Sequence, residues 1–165
     1  MIANPKKSYI YRPNDTSMLQ TILAGFFERD LRKLTEEINL FRTEDDLWKT
    51  TGAIKNTAGN LALHLIGSSN YFFGTLLANT GYVRNRDQEF AKKDVPRQEL
   101  IQQLERLIPL VIDTLNNLTD AGLEQPFPIP FDGGEQSCTY VLVRQLAHLS
   151  YHLGQINYLR RALEP

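Results

Sequence analysis

The sequence predicts an all-α fold, a four-helix bundle. Apolar residues recur at intervals of three and four in four long segments, which is the helical period. No segment alternates between polar and apolar residues strongly enough to predict a sheet. The 165 residues suit a single domain over 1–165. Four helices of about 20 to 26 residues would each be roughly 30–39 Å long, which is enough for one bundle.

The first helix is predicted over residues 16–41. Ten apolar residues in this segment are separated by gaps of one, three and four, and they form a broad stripe along one helix face. Asp15 or Thr16 can cap its first turn. The preceding residues, 1–15, are polar and aromatic without a period and predict an irregular arm.

The second and third helices are predicted over 56–81 and 96–118, with Gly81 as a left-handed stop for the second. The stretch 82–94 between them is a long polar connection. About 13 extended residues can reach roughly 43–47 Å, the full length of a bundle. Helices two and three could therefore be joined by a crossover connection, and a plain up-and-down order remains equally open.

The segment 119–136 contains three prolines and a Gly-Gly pair, so no helix can run through it. Apolar residues alternate with prolines over 126–131, which predicts an extended arm packed across the bundle. The last helix is then capped by Ser137 or Thr139 and runs to about Leu163.

Composition narrows the class of function. The formal net charge is −1 and no basic stripe is present, so binding to nucleic acid is disfavoured. No run approaches the roughly 18 uncharged apolar residues of a membrane span. The single Cys138 cannot form an internal disulfide, and the first residues lack the apolar core of a signal peptide. We therefore expect a cytoplasmic protein with no nucleic-acid or membrane partner.

The three histidines are the first candidates for chemistry. His148 and His152 are spaced i, i+4, which places them one above the other on a helix and lets both imidazoles reach one metal ion. His64 lies on the apolar side of helix two. Each could instead be a core histidine with a hydrogen-bond partner. Three core-facing imidazoles need three partners, however, and one metal ion would satisfy them all.

Other candidates are weaker. Gln155 is one turn from His152 and could bond a ligand or orient a metal ligand. Trp48 and Tyr71 could line a pocket, but aromatic core packing is the favoured interpretation of both. Cys138 opens the last helix and is interpreted as an inert thiol.

The general base of zinc peptidases is missing. Their H-E-x-x-H motif has a glutamate where this chain has Leu149, which argues against that chemistry. A base could come from acidic residues of helix one or the 82–94 connection, yet solvent-exposed surface charge is the simpler interpretation of each. These residues are Glu28, Asp30, Asp87 and Glu89.

Two segments resemble the DinB-like superfamily of small bacterial proteins: NLALHLIGSSNYFFG at 60–74 and LAHLSYHLGQINYLRR at 146–161. The connector around Trp48 and the stretch NRDQEF at 85–90 are similar too, so the resemblance covers nearly the whole chain. The residues that match the motif are His64, Leu65 and Gly67 in the first segment, and His148, His152, Gly154 and Gln155 in the second.

The resemblance implies a four-helix bundle, usually dimeric, with a divalent metal ion on His64, His148 and His152. Relatives transfer low-molecular-weight thiols or isomerise substrates with a thiol cofactor. Three imidazoles leave an open coordination position, which is the catalytic pattern. Imidazole suits zinc, nickel, iron and copper, with zinc and nickel the first candidates.

The sequence thus predicts a metal-dependent enzyme acting on a small molecule, a thiol-dependent transferase by resemblance. The alternatives are a non-catalytic dimeric metal-binding scaffold and a hydrolase using metal-bound water. Adjacent aromatic residues cannot all face one bundle axis, so some should meet a second subunit or the 119–136 arm, and a two-fold homodimer is expected. These aromatic residues are Phe26, Phe27, Phe72 and Phe73.

Overall fold

Four long helices form the described part of the chain, residues 18–164 of a computed structural model. The predicted all-α bundle is confirmed, and no strand occurs within 18–164. The arm predicted over 1–15 and the caps predicted for helix one lie outside the described residues. The helices are α1 (Met18–Leu40), α2 (Ala58–Ser69), α3 (Arg86–Ala91), α4 (Arg97–Asn116), α5 (Asp120–Glu124) and α6 (Cys138–Leu163).

Side-chain hydrogen bonds define how α1 and α6 run. Ser150 donates to Asp30 at 2.5 Å, and Arg160 donates to Glu37 at 2.9 Å. Both pairs advance together along the two helices, so α1 and α6 are parallel. The two carboxylates that accept these bonds are buried, with Asp30 at 4% exposure and Glu37 at 1%. Asp30 is therefore not the exposed surface charge that the sequence predicted.

Helix α4 runs antiparallel to α1. Gln20, near the start of α1, donates to the Leu118 carbonyl at 3.1 Å, and Arg97 at the start of α4 donates to the Phe41 carbonyl at 2.7 Å. The remaining long helix, α2, packs against both α4 and α6 and hardly touches α1. Helices α1 and α2 are therefore diagonally opposite each other in the bundle, and so are α4 and α6.

A crossover connection joins α2 to α4. Helix α2 runs antiparallel to α6, because His64 lies beside His148 while Ser68 lies beside Gln145. It is therefore antiparallel to α1 as well, and parallel to its neighbour α4. Two parallel neighbours in sequence require a connection that returns along the bundle, so the crossover is the alternative that the structure confirms.

The connection runs back along α2 and is held to it at both ends. Thr75 donates to the Tyr82 carbonyl at 2.5 Å, and the Asn60 amide donates to the Lys92 carbonyl at 2.8 Å. Between these points lies α3, a helix of six residues where the sequence predicted only polar connection. Asn85 caps α3 by accepting from the Gln88 backbone N–H.

Helix two ends earlier than the predicted stop at Gly81. It widens into a π-helical turn over Asn70–Thr75, with the Leu76 N–H bonded to the Tyr71 carbonyl at 3.0 Å. Asn79 then adopts a left-handed conformation with φ of 52°, which ends the helix before the glycine.

The predicted arm packs across the end of the bundle. It turns back on itself, with the Phe127 N–H bonded to the Gln136 carbonyl at 2.8 Å. The rings of Phe127 and Phe131 lie 5.8 Å and 5.7 Å from the ring of Phe72. The arm therefore covers Phe72, one of the aromatic residues that the sequence assigned to either the arm or a second subunit.

The other aromatic residues of that set divide between core and surface. Phe27 and Phe73 pack edge to face at 4.9 Å in the core, at 1% and 0% exposure. Phe26 remains 41% exposed, with the Arg29 guanidinium 4.7 Å from its ring. None of the described helices is both long and apolar enough to cross a membrane.

Candidate metal centre

The three histidines meet between α2 and α6. His64 Nε2 lies 3.0 Å from His148 Nε2, and one ring nitrogen from each of His64, His148 and His152 lies within 4.8 Å of the others. Nitrogen ligands about 2.0–2.1 Å from a tetrahedral zinc ion are roughly 3.3 Å apart. The observed spacing is of the same order, so the three nitrogens are close enough together to bind one ion.

Capped helices hold these side chains in place, and α2 is buried along its whole length. Thr57 accepts from the Asn60 N–H at the start of α2, and Ser137 accepts from the Tyr140 N–H at the start of α6. Every residue of α2 is buried because α3, α4 and α6 all pack against it. His64 is accordingly 6% exposed.

A buried carboxylate orients His64. Glu89 Oε2 lies 2.8 Å from His64 Nδ1, on the side of the ring opposite to Nε2. A proton on Nδ1 donates to the carboxylate, which leaves the Nε2 lone pair for a metal. Glu89 is 6% exposed and is not the solvent-exposed charge that the sequence predicted. The crossover brings it against α2, an arrangement that the local sequence does not reveal.

Arg84 in turn holds Glu89. Its Nε donates to Oε1 at 2.7 Å and its Nη2 donates to Oε2 at 2.9 Å, a bidentate pair. The Arg84 and Glu89 side chains are 16% and 6% exposed. Hydrogen bonds therefore run continuously from Arg84 through Glu89 to His64, and they fix the orientation of the imidazole.

Gly67 makes room for this network. A Cβ atom at Gly67 would overlap the Glu89 carboxylate, with its Cδ only 2.8 Å away. Gly67 lies three residues after His64, on the same face of α2. The absence of a side chain there is what lets the carboxylate approach the imidazole.

Gln155 contacts His152 on α6 in the way that Glu89 contacts His64 on α2. Its Oε1 lies 2.6 Å from His152 Nδ1 and accepts the proton of that nitrogen. His152 Nε2 is then left for a metal ion. The sequence had suggested this kind of orienting role or a direct contact to a ligand, and the structure places Gln155 on the imidazole.

The surroundings favour neutral imidazoles at two of the three positions. Burial lowers the pKa of His64, against the opposing influence of Glu89. Burial, followed by the charges of His152 and His64, lowers the pKa of His148 to about 4. Neutral imidazole is the form that binds a metal ion, so both residues are prepared as ligands at neutral pH.

A cavity of about 530 Å³ opens beside His64 and His148. Three arginines line it, Arg84, Arg86 and Arg144, and no described carboxylate does. A second cavity of about 550 Å³ is lined in part by Gln155 but by none of the three histidines. The first cavity is therefore the one from which a small molecule would reach the imidazoles.

Neither Trp48 nor Tyr71 lines the cavity beside His64 and His148. The Trp48 ring covers Gly59 so closely that a Cβ atom there would come within 2.6 Å of it. Tyr71 packs edge to face on Phe72 at 5.6 Å. Both side chains are half-buried against the apolar core.

The remaining candidates have no place in the cluster. Asp87 is exposed and Glu28 is half-buried on α1. Cys138 is 3% exposed, and burial raises the pKa of its thiol, which supports the interpretation of an inert thiol.

Comparison with protein families decides the classification. Residues 16–165 match the family described as "Protein of unknown function (DUF1572)". The chain belongs to this family. The family is DinB-like, as the sequence resemblance predicted.

Comparison with solved structures supports the fold. This DUF1572 protein is similar to the crystal structure of a DinB-like protein from Bacillus cereus ATCC 10987, solved at 2.01 Å resolution. The TM-score is 0.63 at 16% sequence identity, and the match covers 84% of this chain and 90% of that one. At this identity the likeness shows a common fold. The search of curated proteins finds no match.

Proposed function

We propose that this DUF1572 protein binds one divalent metal ion through His64, His148 and His152. The convergence of one ring nitrogen from each residue within 4.8 Å is the observation that supports this most strongly. The opposite nitrogens of His64 and His152 are already bonded, to Glu89 and Gln155. Such outer hydrogen bonds are typical of metal-ligating histidines.

We further propose that the site is catalytic and serves a thiol-dependent transferase. The cluster contains three potential ligands among the described residues, whereas structural zinc sites usually have four. Glu89 does not supply a fourth, because it faces His64 Nδ1 rather than the space between the rings. A divalent ion bound there supplies a Lewis acid that lowers the pKa of a thiol or water.

The residues of the chain have separate tasks in this proposal. The imidazoles bind the ion, Glu89 and Gln155 fix the tautomers of His64 and His152, and Arg84 fixes Glu89. The adjoining cavity of about 530 Å³ has the size of a small-molecule site and admits a thiol and an acceptor. Zinc and nickel are the first candidates for the ion, and the thiol is a low-molecular-weight one.

Chelation separates a catalytic site from a structural one. We expect a chelator to lower the melting temperature while the helical circular dichroism persists at room temperature, because the bundle core does not depend on the ion. His152→Ala should lose both metal and thiol-transfer activity and retain the fold. Helices that melt on chelation would contradict the catalytic proposal and favour the scaffold. Turnover of esters or amides without any thiol would favour the hydrolase.

We also propose that the protein is a two-fold homodimer of the cytoplasm. Ile22 and Phe26 on α1 and Val143 on α6 are 45%, 41% and 48% exposed, and these helices are neighbours. Apolar side chains gathered on adjacent helices are typical of a subunit interface. Light scattering at micromolar concentration should give twice the chain mass, and Phe26→Arg should give the monomer. A wild-type monomer would contradict the dimer.

A further inference from the structure

The cavity beside the histidines has an unbalanced charge. Arg84, Arg86 and Arg144 line it, together with two of the histidines and no described Asp or Glu. The overall chain is nearly neutral at −1, so this concentration of arginine is local. The guanidinium group is the side chain best suited to bind a carboxylate or phosphate.

The three arginines differ in how far their charge is already used. Arg84 is bound in a bidentate pair by the buried Glu89. Arg144 forms one exposed ion pair, with Asp132 at 3.0 Å. Arg86 lies over the Phe90 ring at 5.6 Å and forms no ion pair within the described residues. Arg86 and Arg144 are thus the groups with binding capacity to spare.

Both arginines belong to helices that also hold the histidines or their partners. Arg144 lies one helical turn before His148 on α6, so the two side chains share a face. Arg86 opens α3, the same short helix whose Glu89 holds His64. An anionic group held by this pair would therefore lie in the same cavity as His64 and His148.

The rest of the cavity wall is largely apolar and aromatic. Phe72, Phe131 and Tyr151 contribute to its lining. This distribution matches a ligand with an apolar body and an anionic end. A neutral or cationic ligand would leave the two arginines unused.

We propose that this cavity recognises its substrate through an anionic group, a carboxylate or a phosphate, bound by Arg86 and Arg144. The inference rests on the proposed function in one respect: the reacting group of the substrate would lie next to the histidines. It adds the substrate class: small anionic molecules, the thiol itself or its acceptor.

The test compares two thiols of equal length by isothermal titration calorimetry on the zinc-loaded protein. The probes are 3-mercaptopropionate, which has a carboxylate, and 3-mercapto-1-propanol, which has a hydroxyl group in its place. We expect the carboxylate to bind about five- to twenty-fivefold more tightly, because each of the two partly exposed charge pairs contributes up to roughly fivefold. Butyrate and propyl phosphate, which have no thiol, then show which anion is preferred.

Substitutions identify the groups responsible. Arg86→Gln and Arg144→Gln should each reduce the preference by up to about fivefold, the double variant should abolish it, and Arg144→Lys should retain part of it. Arg161→Gln removes the same charge from the exposed end of α6 and should change nothing. Asp132→Asn releases Arg144 from its ion pair and should strengthen binding; asparagine suits the left-handed backbone there, with φ of 49°.

The outcomes separate this inference from the proposed function. Equal binding of the two thiols overturns the anion site and leaves the thiol function standing. A preference that survives in the double variant Arg86→Gln/Arg144→Gln, or falls equally in Arg161→Gln, also overturns it. Binding of 3-mercaptopropionate that is no tighter than that of butyrate, with both depending on the two arginines, supports the anion site and contradicts the thiol function. Failure of all four probes overturns the inference.

Discussion

Replacing Glu89 with glutamine tests the buried network behind the metal ligands. The change removes one negative charge and keeps the shape of the side chain. Glu89 accepts from His64 Nδ1 at 2.8 Å and from Arg84 at 2.7 and 2.9 Å. A glutamine can satisfy only part of this, because one of its two terminal atoms is a donor.

Two magnitudes follow from these contacts. Outer hydrogen bonds to metal-binding histidines contribute about 10- to 100-fold to metal affinity, or roughly 1.4–2.8 kcal/mol. The Arg84 guanidinium, with its side chain only 16% exposed, also loses its counter-charge. Hydrogen bonds to charged groups contribute about 1.5–3 kcal/mol, so we expect the metal-free variant to lose about 2 kcal/mol in the free energy of unfolding.

Competition with a chromophoric chelator measures the zinc affinity, and urea unfolding measures the stability. Asp87→Asn is the matched control, since it removes the same charge from the same short helix at an exposed position. It should change neither quantity by more than about 0.5 kcal/mol. Wild-type zinc affinity in Glu89→Gln would refute the role given to Glu89 in positioning His64.

Two further predictions concern a glycine and a buried ion pair. Gly67→Ala should displace the Glu89 carboxylate and weaken zinc binding at least about tenfold. Gly154→Ala is the control: its Cβ position has open space around it, so it should leave zinc binding unchanged and stabilise α6 by about 0.5–1 kcal/mol. Equal zinc affinities of the two variants in chelator competition would contradict this. Burial alone would raise the pKa of Glu37, but hydrogen bonds from Arg160 and Asn157 outweigh it and hold that pKa below its ordinary value of 4.5. Glu37 therefore stabilises the fold above about pH 4.5 and loses this contribution as the pH falls through its lowered pKa. Glu37→Gln should cost about 2–3 kcal/mol at pH 7 and progressively less at lower pH, and a difference in urea unfolding that stays constant from pH 7 to pH 3 would contradict the argument.

The bundle and the histidine cluster could be predicted because their signals are local. The stripes of apolar residues predict the long helices within a few residues of their observed ends, except at the end of helix two, where the predicted stop at Gly81 lies beyond both α2 and its π-helical turn. The i, i+4 spacing of His148 and His152 is likewise visible in the sequence. His64 completes the cluster because α2 packs against α6. The family resemblance implied that His64 faces the pair, which spacing alone did not establish.

The outer network could not be predicted because it depends on tertiary placement. Glu89 lies 25 residues from His64 and reaches it only because the crossover runs back along α2. A sequence signal did exist in Gly67, three residues after a buried histidine, where a missing side chain leaves space for another group. Asp30 and Glu37 look like surface charges for the same reason, since their partners on α6 lie 120 or more residues away.

The metal content of the purified protein tests the central claim most directly. The protein should be prepared without a nickel column and analysed by inductively coupled plasma mass spectrometry, alongside His152→Gln prepared in the same way. We predict close to one divalent ion per chain in the wild type and its loss in the variant, with helical circular dichroism retained in both. A wild type that contains no metal and takes up neither zinc nor nickel would contradict the claim, and so would equal metal content in the variant.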